Sequence, residues 1–306
     1  MAGSSSSIYL RNLSPKLRPA LDLLRSAVAA LPNNADTVES VLDLGCGTGT
    51  MTKYLCDAFP NAKIHGIDLS AAMVEAAQQG MSSIPGLRHR RVTFENETIE
   101  NFINRGNTTT AEKDKNSKFD VIYANSSLQW LPGPKRGEIL KALVANRLQP
   151  KGGVLAVQMP DTAQQASHLL METAALRTGL IDQMYGVVAQ QREVHDTASY
   201  HRLLTPICRD VDVWTTTYGH QLQYHGSAKQ AWHPVLEHVR HKATGLVPYL
   251  QAVGGEETED GKRFMTEYNR LLNEAYPVVN VGNPSYKTGA RLTLFPFKRL
   301  FLVCQS

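Results

Sequence analysis

Val41-Leu42-Asp43-Leu44-Gly45-Cys46-Gly47-Thr48-Gly49 decides how the rest of this chain is read. An apolar run of strand character ends in an acid. Three glycines then alternate with small residues, and a helix is expected over 50–58. Glycines let the backbone turn sharply and come close to a ligand. A carboxylate just ahead of the turn suits a ligand carrying a cation and repels a pyrophosphate. A dinucleotide fingerprint needs Gly-x-Gly-x-x-Gly. Gly45 and Gly47 fit it, but position 50 is threonine and the third glycine stands at 49.

Outward from this loop the pattern alternates. Further strands are expected over 63–68, 91–94, 119–124 and 154–159. Helices are expected over 71–79 and 135–147. Ahead of the loop, Ser14-Pro15 reads as a helix start. Leu17, Leu21, Leu24, Val28 and Leu31 form one apolar stripe behind it. Strands alternating with helices imply a doubly wound α/β fold with a mainly parallel sheet, whose ligands lie at the carboxyl ends of the strands. Asp43, Asp68, Asn125 and Gln158 fall at those ends.

The pattern changes after Pro160. Helices are expected over 163–180, 228–244 and 259–276, a core strand over 211–218, and one or two last strands over 291–303. The chain therefore divides into a ligand-binding core with its N-terminal helix (1–160), a mostly helical cap (161–290) and the final strands (291–306). The polar stretch 105–118 reads as a loop insertion.

Composition narrows the class. The chain has 306 residues, 42% hydrophobic and 20% charged, with a net charge of +4. That is ordinary for a globular protein and too mild to argue for nucleic acid. Four scattered cysteines give neither a disulfide framework nor a zinc ribbon. No secretory signal or membrane-spanning stretch is expected, which points to the cytoplasm. His233, Glu237 and His241 recur every four residues, as metal ligands on a helix do. Beside the apolar stripe Trp232, Leu236, Val239 and Ala243 they read instead as a solvated face, and no metal site is expected.

The acid-x-Gly-x-Gly-x-Gly run resembles motif I of class I S-adenosylmethionine-dependent methyltransferases, which have a Rossmann-like sheet. The resemblance implies S-adenosylmethionine as cofactor. It places Gly45, Cys46 and Gly47 against the methionine part and Asp43 near its ammonium. The two oxygens of Asp68 suit the two ribose hydroxyls, with Leu69 adjoining. Thr98 and Ile99 fall on the adenine side. The family often has an acid where this chain has Thr98, next to Glu97. Asn125 ends the fourth strand, and Arg18 is a partner for the methionine carboxylate.

A longer resemblance concerns the acceptor. Phe119-Asp120-Val121-Ile122-Tyr123-Ala124-Asn125-Ser126-Ser127-Leu128-Gln129-Trp130-Leu131-Pro132 is similar to the trans-aconitate methyltransferase family. So is Gly152-Gly153-Val154-Leu155-Ala156-Val157-Gln158-Met159-Pro160-Asp161. Ser126 and Ser127 stand where methyltransferases of exocyclic amino groups carry two prolines. The resemblance implies esterification of a carboxylate of a small tricarboxylic acid, trans-aconitate or cis-aconitate. Tyr9, Gln129, Trp130, His168, Tyr218, His220 and Arg299 are then the substrate contacts. A carboxylate, with a pKa of about 4, is ionised at neutral pH and needs no general base. Plainer readings stand beside these: Trp130 as core, His168 as a solvated helix residue, Arg299 as a strand-end charge. Another carboxylic acid, a malonyl thioester, a specialised metabolite, or binding without methylation are the alternatives.

Overall fold

The apolar runs form the parallel part of one sheet in a computed structural model of the chain. The structure describes residues 17–82, 91–105, 118–162, 164–192, 196–223, 232–241, 245–280 and 291–306. Tyr9, Ser14-Pro15 and most of the 105–118 stretch lie outside these residues.

Five strands, β1 (Ser40–Leu44), β2 (Lys63–Asp68), β3 (Val92–Asn96), β4 (Val121–Asn125) and β5 (Val154–Pro160), pair in parallel. Two long strands follow, β6 (Asp210–Gln223) and β8 (Arg291–Gln305), and β8 runs antiparallel to β5. The short β7 (Val279–Asn280) pairs with β8. The sheet order is β3-β2-β1-β4-β5-β8-β6. β1 thus has β2 on one side and β4 on the other, and the chain leaves these strands in opposite directions. Such a switch point opens a crevice at the carboxyl ends of the strands.

Helices cover both faces, which is why β4 and β5 read as continuous apolar runs. On one face Leu42, Ile122, Leu155 and Leu302 pack with Phe102, Leu140 and Tyr200. These come from α4 (Ile99–Arg105), α5 (Gly133–Ala142) and α8 (Thr197–Leu204). On the other face lies α1 (Arg18–Ala29), where the Tyr123 hydroxyl donates to Ala20 O at 2.7 Å. The buried face of α1 is Pro19, Ala20, Leu23, Leu24 and Ala27. Of the expected stripe, Leu24 belongs to this face, while Leu17, Leu21, Val28 and Leu31 flank it half-buried. Small Ala20 and Ala27 let the helix come close to β4 and β5, where larger side chains would hold it off. The remaining core helices are α2 (Thr50–Ala58) and α3 (Ala71–Ser82).

The chain separates into two compact units. One comprises Met1–Pro160, His195–Thr216 and Arg299–Ser306; the other comprises Asp161–Val194 and Thr217–Lys298. The second is mainly helical. The helix expected over 163–180 is α6 (Ala166–Arg177); a further helix not expected there, α7 (Ile181–Arg192), follows Gly179, which has φ +69°. Left-handed glycine ends a helix at low cost. Of the stretch expected as one helix over 228–244, the described residues hold α9 (Pro234–Arg240), and α10 (Leu246–Ala252) follows. α11 (Glu259–Ala275) matches its strong amphipathic pattern. The Thr258 hydroxyl caps it by accepting from Gly261 N at 3.0 Å, and Glu259 and Asp260 occupy its first turn. Its Phe264, Tyr268 and Leu272 pack with Met171 and Tyr249. Among the described residues, no helix is long and apolar enough to cross a membrane.

Candidate active site

The glycine loop closes against the end of β2. Gly45, Gly47 and Gly49 have φ of +77°, +53° and +74°, where only glycine is unstrained. The N–H groups of Gly45 and Cys46 both donate to Ile67 O at 2.9 Å. Gly47 N donates to Asp68 Oδ2 at 2.9 Å, and Ser70 N donates to Asp68 Oδ1 at 2.9 Å. An acid therefore already holds the N–H that a pyrophosphate would seek. Each Asp68 oxygen keeps acceptor capacity beyond its one backbone bond. A Cβ on Gly45 would sit 2.3 Å from Ser127 Cβ, so the loop and the end of β4 touch only because this residue is glycine. A Cβ on Gly47 would meet nothing within 4 Å; that position faces open space.

Asp43 is 2% exposed and accepts from the Thr52 hydroxyl at 2.6 Å. Burial lifts its pKa from 3.8 to about 6; the Thr52 bond pulls it down and the Asp68 charge adds to the rise. A cationic ligand group nearby would reverse the effect. Burial, with Asp43 and Asp68 adding, raises the Cys46 thiol far above its ordinary range, so it stays protonated.

A cavity of about 500 Å³ opens beside this loop, in the size range of small-molecule sites. Gly45, Asp68, Leu69, Thr98, Ile99 and Trp130 all line it. Leu69 and Trp130 are 74% and 62% exposed, so Trp130 is a wall of the cavity and not core. Thr98 caps α4, its hydroxyl accepting from Asn101 N at 3.1 Å. Glu97 pairs with Arg105 at 2.8 Å. Arg18 is not among the lining residues. Its side chain is 72% exposed and lies 3.8 Å from Asp22, four residues on along α1.

At the carboxyl ends of β4 and β5, beside the middle of β8, the chemistry changes sign. Arg299 Nη1 donates to Ser126 Oγ and to Gln158 Oε1, both at 3.0 Å. Gln158 Nε2 donates to Asn125 Oδ1 at 2.7 Å. Gln129 Nε2 donates to Ser126 O at 2.7 Å. Ser126 is the one described non-glycine residue with positive φ, +54°, a sparsely populated conformation that clusters at functional sites. Gln129, Trp130 and Arg299 thus gather around one turn, with Asn125.

His168, Tyr218 and His220 belong to the helical unit and are buried at 6%, 7% and 8% exposure. His168 is no solvated helix residue: its Nδ1 lies 3.2 Å from Ser167 Oγ. His220 meets the Phe297 ring edge-on at 5.6 Å. His233 corrects the reading of a solvated face. It is fully buried and precedes α9 as its cap: Nδ1 accepts from Val235 N at 3.2 Å, and Nε2 donates to Tyr276 O at 2.8 Å. Both ring nitrogens are committed to the protein. The helix begins only at Pro234, so the spacing of four did not describe one helix face.

Three residues of this region escaped the sequence reading. Asn96 Nδ2 bridges Asp68 O and Leu69 O at 2.9 and 2.8 Å, fixing the turn under the cavity. Thr52 holds Asp43. The Ser127 hydroxyl lines the cavity, buried, without a protein partner. Asn96 ends a strand, which was its only signal.

A profile described as a methyltransferase domain matches residues 42–155. Trans-aconitate 2-methyltransferase of Methylobacterium nodulans is 33% identical over 305 residues, covering 100% of this chain and 99% of that protein. The protein of that name from Escherichia coli gives the same figures. That of Paracidovorax citrulli is 34% identical, covering 97% of this chain and 96% of its own. Among solved structures, plantazolicin methyltransferase BpumL in complex with SAH covers 98% of this chain and 89% of its own, with TM-score 0.45 and 14% identity.

Fold and relatives together define an S-adenosylmethionine-dependent methyltransferase. The site fits that cofactor: a carboxylate with open acceptor positions and apolar walls on a cavity of suitable size; Asp43 lies buried behind the glycine loop and is not among the lining residues. The chain belongs to the trans-aconitate 2-methyltransferase family.

Proposed function

We propose that this methyltransferase esterifies one carboxylate of a small polycarboxylic acid, trans-aconitate or its cis isomer, in the cytoplasm. The observation that carries the reading is Arg299, held against a cavity-lining turn by Ser126 and Gln158. A half-buried guanidinium in a fixed fork suits a spare carboxylate of the acceptor. The names of the relatives support the same substrate class.

S-adenosylmethionine supplies an electrophilic methyl group on a sulfonium. Asp68 would accept from the ribose hydroxyls, and Asp43 would face the ammonium. Leu69, Thr98 and Ile99 would border the adenine. Gly45, Cys46, Gly47 and Asn125 would border the methionine portion, with Arg18 a candidate for its carboxylate. Gln129, Trp130 and Arg299 would hold the acid from the core; Tyr9, His168, Tyr218 and His220 are the remaining candidates. The attacking oxygen is already ionised, so these residues orient it and exclude water and no proton is moved.

The test is a panel of di- and tricarboxylic acids incubated with enzyme and S-adenosylmethionine, read by mass spectrometry. Gain of one methyl on trans-aconitate or cis-aconitate is expected. Methylation of a phenol, an amine or a thioester alone would reject the proposal.

A further inference from the structure

Gln158 is 1% exposed and sits between Arg299 and Asn125. A guanidinium has donors only. Gln158 must therefore turn Oε1 toward Arg299, which leaves Nε2 toward Asn125. Asn125 must in turn present Oδ1 inward, because an N–H cannot donate to another N–H. Each amide orientation is fixed by the hydrogen-bond logic of the one before it. The outcome is at the far end: Asn125 Nδ2, with no protein partner among the described residues, is the group left for a ligand. The Ser126 hydroxyl accepts from Arg299 and keeps its own proton to donate.

We infer that Gln158 is a positioning and specificity-determining residue, which locks Asn125 with its donor outward so that an anionic acceptor meets N–H and O–H groups at the carboxyl ends of β4 and β5, beside the middle of β8. This rests on the proposed carboxylate acceptor. Gln158 itself is buried and is not among the residues that line the cavity. It acts through Arg299 and Asn125, and it favours acceptors whose oxygens receive the Asn125 N–H and the Ser126 O–H.

Gln158→Glu tests it. A glutamate would take the Arg299 bond with one oxygen and demand a donor from Asn125 with the other. Asn125 would flip and turn its own oxygen outward, and the charge of Arg299 would be offset. Expected is a rise of about tenfold or more in KM for trans-aconitate, with a smaller rise in the Kd of S-adenosylhomocysteine by calorimetry, since Asn125 also borders the methionine portion in the proposed function. Gln158→Met, close in volume and without polar atoms, leaves Asn125 free to rotate. It should raise KM less than Gln158→Glu does, and it serves where the buried glutamate fails to fold. An unchanged KM in both variants, or equal loss of acid and cofactor binding in both, would overturn the inference. Wild type that makes no ester from any polycarboxylate would instead overturn the proposed function. Wild type that makes the ester while Gln158→Glu behaves like it defeats the inference alone.

Discussion

One sheet carries two chemically opposite edges. The ends of β1 and β2, with the loop after β3, offer carboxylates: Asp43, Asp68 and Glu97, the first two braced by Thr52 and by backbone N–H groups. The carboxyl ends of β4 and β5, with the middle of β8, offer amides, a hydroxyl and Arg299. The two meet where a Cβ on Gly45 would strike Ser127. On the proposed function, the difference would let one crevice serve a methyl donor that is a cation and an acceptor that is an anion. Each ligand would be drawn to its own side, and a misplaced one would meet like charge.

Removing the acidic edge should have the largest effect. Two hydroxyl bonds to a carboxylate are worth about 1.5–3 kcal/mol each, and Asp68 also anchors Gly47. Asp68→Ala should weaken S-adenosylhomocysteine binding by about 100-fold or more, measured by calorimetry. Retained affinity would move the ribose elsewhere. The seam between the edges comes next. Gly45→Ala combines φ of +77° with overlap on Ser127. It should cost about 2–4 kcal/mol of stability, read as a fall in melting temperature.

Asp43 sharpens the comparison through pH. Between 3.8 and about 6 the folded, ligand-free protein holds a proton on Asp43 that the unfolded chain has released. Stability from this group is full below 3.8 and is lost as pH rises through about 6. Binding the cofactor ammonium should expel that proton. Below pH 6, affinity for S-adenosylhomocysteine should fall by up to about tenfold per pH unit. Calorimetry in buffers of differing ionisation enthalpy should register proton release. Absence of release at about pH 5 would separate Asp43 from the cation. Gly47→Ala should have the smallest effect on stability, about 1 kcal/mol, yet a clear one on cofactor affinity, because its Cβ enters open space. Equal effects on both would place the ligand away from the loop.

The acidic edge was legible in the sequence because it is local. Asp43 and the glycines lie within seven residues of one another, and Asp68 ends the next apolar strand. The cationic edge was legible only as separate residues. Arg299 stands 141 residues from Gln158 and 173 from Ser126, and no periodicity joins them. The antiparallel return of β8 beside β5 brings them together, with Pro160 opposite Arg299. Short helices were the weakest part of the reading. α7 has a weak apolar face, α10 is only two turns long although Leu246, Tyr249 and Leu250 are buried, and α9 is too brief for a spacing of four to mean what it means in a long helix. α11 has a capping threonine, acids in its first turn and a strong apolar face, and it was read correctly.

Arg299→Ala probes the division of labour most directly, with KM for trans-aconitate and Kd for S-adenosylhomocysteine measured on the same preparation. Loss of charge-assisted bonds to a carboxylate should raise KM by about tenfold or more and leave the cofactor Kd within about twofold. A weakened cofactor with an unchanged KM would put Arg299 on the donor's side and contradict the separation of the two edges.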